Sequence, residues 1–228
     1  MHPREIGKHS TARADRRGVR DDTTDSSGPL ARTTLGVSIK FGPNVEIYGE
    51  GEQAEYVYKV VSGTVRTYKI LADGRRQIGS FYLRGDVFGL EFGNVHALSA
   101  EAVTESKVLV IKRSALVSLA TRDSEVARDL WTLTGRELAR AQERVVLLIK
   151  TAQERVAAFL LEMFDRRDVV RVLDLPMSRN DIADYLGLTI ETVCRVMSAF
   201  KREGLIDIPT PHRVELRERA ALAALGDT

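Results

Sequence analysis

Ser178-Arg179-Asn180-Asp181-Ile182-Ala183-Asp184-Tyr185-Leu186-Gly187-Leu188-Thr189-Ile190-Glu191-Thr192-Val193-Cys194-Arg195-Val196-Met197-Ser198-Ala199-Phe200 is the stretch that decides the fold. Ser178 with Asp181 three residues on is an N-cap signature: a hydroxyl accepts a free backbone N–H while the carboxylate reaches back. A short helix follows, with Ile182, Ala183 and Leu186 facing inward, and stops at Gly187. Thr189 caps a second helix. Val193, Met197 and Phe200 fall on its apolar side, which leaves Glu191, Cys194, Arg195 and Ser198 on the other. Two short helices joined by a glycine-containing turn make a helix-turn-helix, whose second helix is the one that enters a major groove.

Glu191 and Arg195 are four apart and lie one above the other on the helix. A solvated ion pair worth a few tenths of a kcal/mol is the plain reading. The stronger one is base readout. Arg195 donates twice to guanine O6 and N7, Glu191 accepts from cytosine N4, and each such pair discriminates by ~1–3 kcal/mol. Thr189 or Ile190 can meet a thymine methyl. Ser178 and Arg179 at the first helix's start, with Ser198 and Lys201, are the candidates for phosphate contacts. One number runs against this: residues 168–228 hold eight Lys/Arg and ten Asp/Glu. A DNA-binding face is normally basic, so Arg179, Arg195, Lys201 and Arg202 must cluster in space. Non-specific affinity should be weak and binding should lean on dimerisation.

Upstream, the period is helical from residue 124. Trp131, Thr134, Leu138, Ala141, Val145, Leu148 and Ala152 recur at alternating steps of three and four. That is a coiled-coil seam, and it predicts self-association. Arg136, Arg140 and Arg144 read as a solvated stripe beside it. A second helix is expected over 151–166, with Val156, Phe159, Leu160, Met163 and Phe164 as core. Further upstream, from Phe41 to about Val110, short β-branched and aromatic runs are punctuated by Gly51, Gly63, Gly74 and Gly85 at intervals of eleven or twelve. This spacing predicts a β-sandwich or jelly roll. Residues 1–33, with seven Lys/Arg and five Asp/Glu, lack the apolar side chains to offset ordering and read as a disordered tail.

These residues resemble a known family. The run from Ile182 to Arg195 is similar to the helix-turn-helix of the CRP/FNR family of bacterial transcription regulators. It is most similar to the FixK-like branch, where the recognition helix carries Glu-x-x-Ser-Arg. Leu71-Ala72-Asp73-Gly74-Arg75-Arg76-Gln77-Ile78 and Arg84-Gly85-Asp86-Val87-Phe88-Gly89 resemble that family's β-roll. The resemblance implies an α+β chain: a jelly-roll, cyclic-nucleotide-binding-like β-roll over 34–123, a dimerisation helix over 124–150, and a winged helix-turn-helix over 151–228. The wing would be Leu205 to Leu216, with Pro209 and Pro211 at its turn. It also implies a homodimeric activator that reads a TTGA/TCAA inverted repeat in double-stranded DNA. Such a protein would recruit RNA polymerase to genes of low-oxygen respiration or nitrogen fixation.

The departures matter too. The oxygen-sensing members carry clustered N-terminal cysteines, whereas the single cysteine here is Cys194. Where cyclic-AMP receptors use arginine to pair the phosphate, Leu98 stands in Leu98-Ser99-Ala100, and Gly89-Leu90-Glu91 replaces their Gly-Glu-Leu. Burying a phosphate without that cation is costly, so no cyclic nucleotide, and no cofactor, is expected. Cys194 occupies the branch's serine and so stands among the base-readout positions with Glu191, Arg195, Ile190 and Thr189, although a thiol is a poorer hydrogen-bond partner than a hydroxyl. The bland reading is a tolerated small residue, and the sharper one a redox brake, because oxidation would add bulk or charge on the DNA face.

Composition bounds the rest. The 228 residues carry 34 Lys+Arg against 32 Asp+Glu, a net charge of +2, which excludes a supercharged coat or an acidic disordered solvator. One cysteine excludes a disulfide framework and any thiolate cluster. Without an apolar run long enough for a span or a signal h-region, a cytoplasmic protein with no membrane contact is expected. Cupin-type metal catalysis needs several histidines near a carboxylate, and the roll holds only His96, more often structural than a haem ligand. No metal site and no catalysis are expected. Two other readings stay open: a small-molecule-gated member of the family, and a ligand-binding module that controls a partner protein without touching DNA.

Overall fold

The computed structural model describes residues 35–147 and 149–226. The tail read over 1–33 and the seam residue Leu148 lie outside the described residues. The chain opens with eight strands: β1 (Val37–Phe41), β2 (Glu46–Tyr48), β3 (Tyr56–Ser62), β4 (Val65–Ile70), β5 (Arg76–Tyr82), β6 (Val87–Phe88), β7 (Ser99–Ala102) and β8 (Ser106–Lys112). They form two four-stranded antiparallel sheets, ordered β1-β8-β3-β6 and β2-β7-β4-β5. Phe41, Tyr48, Tyr58, Tyr82 and Phe88 fill the space between them. Buried His96 stacks on Tyr48, ring centroids 3.6 Å apart, and its Nδ1 lies 3.4 Å from Glu91. It is thus part of this aromatic core.

All four turn glycines have positive φ, between 81° and 90°, the conformation that glycine alone adopts cheaply. Gly63 is the tightest. An added Cβ would lie 2.3 Å from the Ser106 hydroxyl and 2.5 Å from the Glu105 carbonyl, and that hydroxyl anchors both backbone polar groups of Thr64. At Gly74 an added Cβ would meet nothing within 4 Å. Gly63→Ala should therefore cost more than about 2 kcal/mol. The melting temperature should fall by about 4–8 °C, clearly more than for Gly74→Ala. Equal melting curves for the two variants would show that the collision is relieved.

A helix not expected from the sequence, α1 (Arg113–Ala120), follows the roll, and α2 (Ser124–Leu147) runs back along it. Two seven-residue repeats, offset by one residue and so by ~100°, share α2. The inner one holds Val126, Leu130 and Leu133 against Val57, Val87, Ile111 and Leu116, then continues as Glu137, Arg140 and Arg144. Arg140 and Arg144 therefore correct the expected solvated stripe. Arg140 pairs with Glu137 at 2.7 Å and with Asp86 at 3.4 Å. Arg144 reaches the Ser80 hydroxyl and lies over the Tyr185 ring, 5.1 Å from its centroid. The roll supplies partners that sequence spacing does not display.

The outer repeat carries Trp131, Thr134, Leu138, Ala141 and Val145, all exposed. It does not continue to Ala152, as the sequence spacing suggested. The helix ends at Leu147, and Thr151 starts α3 (Ala152–Arg166) with a capping box to Glu154. Ala152 packs into the core instead.

The C-terminal part continues with β9 (Val172–Asp174), α4 (Arg179–Leu186), α5 (Ile190–Arg202), β10 (Ile206–Thr210), β11 (Arg213–Leu216) and α6 (Arg219–Gly226). The wing is a three-stranded sheet ordered β10-β11-β9. Pro211 lies in its turn, whereas Pro209 sits inside β10, at the irregular register between Asp207 and Thr210. One apolar cluster joins Ile78, Phe81 and Leu83 of the roll to α3, α4, α5 and the wing. The Phe81 ring meets Tyr185 at 5.3 Å and Phe159 at 6.4 Å.

Candidate nucleic-acid interface

Local chemistry sets both helices. The Ser178 hydroxyl accepts from the Asp181 N–H at 3.1 Å, and Asp181 accepts from the Ser178 N–H at 3.0 Å. Gly187 ends α4 in the left-handed conformation, φ 63°. Thr189 caps α5, its hydroxyl accepting from the Thr192 N–H at 3.2 Å. Val193, Val196, Met197 and Phe200 are buried on one side of α5. Glu191, Cys194, Arg195, Ser198, Lys201 and Arg202 are exposed along the other, with Thr189 and Ile190 exposed at its start.

Among the described residues, no ion pair joins Glu191 to Arg195 or otherwise engages Arg195. The plain i,i+4 pair is thus not formed. The Glu191 carboxyl is held below its ordinary pKa by its own backbone N–H and by the Thr189 hydroxyl, so it is an acceptor throughout the neutral range. Lys201 pairs with Asp207 of the wing at 2.9 Å, both side chains about half exposed. Arg179 is turned inward rather than out to solvent. Burial lowers its pKa, opposed by the nearby Cys194, and its Nη1 is buried without a hydrogen-bond partner. Cys194 itself is exposed. Ser178 is exposed at the start of α4. The wing tip is fixed by His212, whose Nδ1 lies 3.0 Å from the Leu175 carbonyl.

Arg195 thus has its donors free toward solvent, one turn along from a carboxylate acceptor. The stripe reaches from the N-terminus of α5 to its end, which suits a helix inserted in a groove about 12 Å wide. The sequence did not reveal that α4 is docked on the roll. Arg76 and Gln77, which the sequence places only within the run resembling a β-roll, hydrogen-bond to Asp184 at 2.8 and 2.7 Å. No helix among the described residues is long and apolar enough to cross a membrane.

Comparisons with known proteins agree with this architecture. The profile of the Crp-like helix-turn-helix domain matches residues 154–225, and that of the cyclic nucleotide-binding domain matches residues 38–123. The nitrogen fixation regulation protein FixK of Azorhizobium caulinodans is 47% identical over 215 residues, covering 92% of this chain and 86% of that protein. FixK of Rhizobium meliloti is 39% identical over 199 residues, covering 87% of this chain and 91% of that protein. The structure of FixK2 from Bradyrhizobium japonicum superposes with a TM-score of 0.81 at 50% identity, over 84% of this chain and 97% of that one. With its β-roll, long helix and winged helix-turn-helix, the chain belongs to the CRP/FNR family, as a DNA-binding transcription regulator of FixK type and not an enzyme.

Proposed function

We propose that the protein acts in the cytoplasm as a homodimer that reads a TTGA/TCAA inverted repeat and recruits RNA polymerase to genes of low-oxygen respiration or nitrogen fixation. The observation that carries the reading is the exposed stripe on α5, with an unpaired Arg195 beside an anionic Glu191. Arg195 takes guanine and Glu191 the cytosine of the opposite strand, and Thr189 or Ile190 meets a thymine methyl. Ser178, Arg179, Ser198 and Lys201 hold phosphates. For Arg179 and Lys201 this means leaving their present surroundings, Cys194 and Asp207. The exposed seam on α2 joins the two copies and sets two recognition helices ~34 Å apart. Roll, seam helix and reading head divide near residues 123 and 150.

Fluorescence anisotropy tests this with reduced protein at fixed salt, on the palindrome and on a scrambled duplex. Specific sites typically bind 10³-fold or more tighter than random DNA, so a clear preference for the palindrome is expected. Equal binding to both would overturn the half-site assignment.

Cys194 gives the reading a second test. It lies between the Arg195 it precedes and the Arg179 it approaches, and it is exposed on the face where DNA would approach, so oxidation there adds bulk or charge in the way of DNA. Peroxide converts a thiolate to a sulfenic acid with loss of hydroxide. Treatment of the parent should then weaken palindrome binding, whereas Cys194→Ser should be insensitive. Equal sensitivity of the two proteins would assign the effect elsewhere.

A further inference from the structure

Between the roll and α4 lies a cluster of charges that the DNA-reading face does not use. Arg66 of β4 donates to Asp181 Oδ1 at 2.7 Å and to Glu101 on the neighbouring strand at 2.6 Å. Arg76 of β5 donates to the same Asp181 oxygen at 2.5 Å and to Asp184 at 2.8 Å. The other Asp181 oxygen closes the capping box with the Ser178 N–H. The Arg66 and Asp181 side chains are only 7% and 6% exposed. Burial opposes the charge of Arg76, but the hydrogen bonds and charges of Asp184 and Asp181 prevail and raise its pKa.

Such pairs add little net stability, but they are directional. The apolar contact of Phe81 with Tyr185 and Phe159 holds α4 against the roll without fixing its angle. Two guanidiniums, each bonded to two carboxylates, do fix it. The path continues on both sides. α5 packs on α4, and the roll is tied to α2 through Val126, Leu133 and Arg140. The direction of the recognition helix relative to the seam is therefore set partly by strands more than a hundred residues earlier.

We infer that Arg66 and Arg76 are positioning residues for DNA recognition: by clamping Asp181 and Asp184 they hold α4, and with it α5, at the angle that spaces the two recognition helices to match the half-site spacing. This rests on the dimeric, palindrome-reading function proposed above, and it adds which residues set the spacing.

Two readouts separate the inference from that reading. A nitroxide on Cys194, the single thiol, reports the distance between recognition helices by pulsed electron paramagnetic resonance without DNA. The parent should give one narrow distribution, and Arg76→Gln and Asp184→Asn should each broaden it. The double variant should be no broader than Arg76→Gln alone, because the guanidinium's contact with Asp184 is already lost in that variant. Arg76→Lys, which keeps a charge, should recover part of the order.

On unlabelled protein, anisotropy would compare palindromes with the half-sites moved apart or together by one base pair. The parent should prefer one spacing by about tenfold or more, and the variants should fall to within about threefold. Their loss on a single mismatched base pair should stay as in the parent. Asp184 is partly exposed, so Asp184→Asn keeps the fold even if a change at Arg76 does not. Narrow distributions and an unchanged spacing preference in the variants would overturn the clamp alone. A parent with no dipolar coupling and no preference for any palindrome would overturn the reading beneath it, and the inference with it.

Discussion

Arg195→Ala should lower affinity for the TTGA/TCAA palindrome by between about 30-fold and 10⁴-fold, since each of two half-sites loses a bidentate guanine contact worth ~1–3 kcal/mol. On a scrambled duplex the loss should be small, because only one charge per subunit disappears from a surface that is not strongly basic. The fold should not notice the change. Arg195 is exposed, and among the described residues it joins no ion pair, so the melting temperature should match that of the parent. Glu191→Ala should act more narrowly, relaxing the preference at one base pair per half-site. Equal losses for Arg195→Ala on both duplexes would make that residue a phosphate contact instead.

Leu138→Glu should split the dimer. Leu138 is 59% exposed in the single chain and Trp131 is 82% exposed. Exposure of that kind at seven-residue spacing is what a coiled-coil seam shows before it is paired. Because the glutamate replaces a side chain already in water, the monomer should fold as before. In the dimer, two carboxylates would face each other across an apolar seam. Sedimentation should show a monomer at micromolar concentration. Palindrome affinity should fall by about 10²-fold or more, since the second half-site is no longer bound at high effective concentration. Val170→Glu, at a position 87% exposed and outside the seam, should leave both properties unchanged. A Leu138→Glu protein that stays dimeric would place the interface elsewhere.

The sequence was most legible where structure is local. The capping box at Ser178, the left-handed Gly187 and the four turn glycines depend on neighbours within a few residues. Chemistry at that range is written along the chain. The exposed face of α5 was legible for the same reason, its partner being the buried stripe of Val193, Met197 and Phe200. What escaped was long-range. Arg140 and Arg144 look like solvated charges until Asp86 and Tyr185 are brought beside them. Arg66 and Arg76 look like ordinary strand residues until α4 arrives. A periodic pattern says which face of a helix is apolar, but not that a charged face meets complementary charge across a fold. The short strands β1, β2, β6 and β7 and helix α1 carry too few residues for any period to register.

The Phe81 side chain, which packs against the touching pair Phe159 and Tyr185, bears on how such regulators diversify. A reading head moved onto another roll would arrive with two aromatic rings and Arg166 uncovered, Arg166 having lost Asp86, 2.6 Å away. Exchange of whole parts between relatives is therefore constrained at strand β5. A working hybrid has to inherit that strand together with the head, or change the rings to suit a new neighbour. During synthesis the order is favourable. Domains generally fold as units from the N-terminal side during synthesis, and the roll precedes in the chain the helices that settle against its edge.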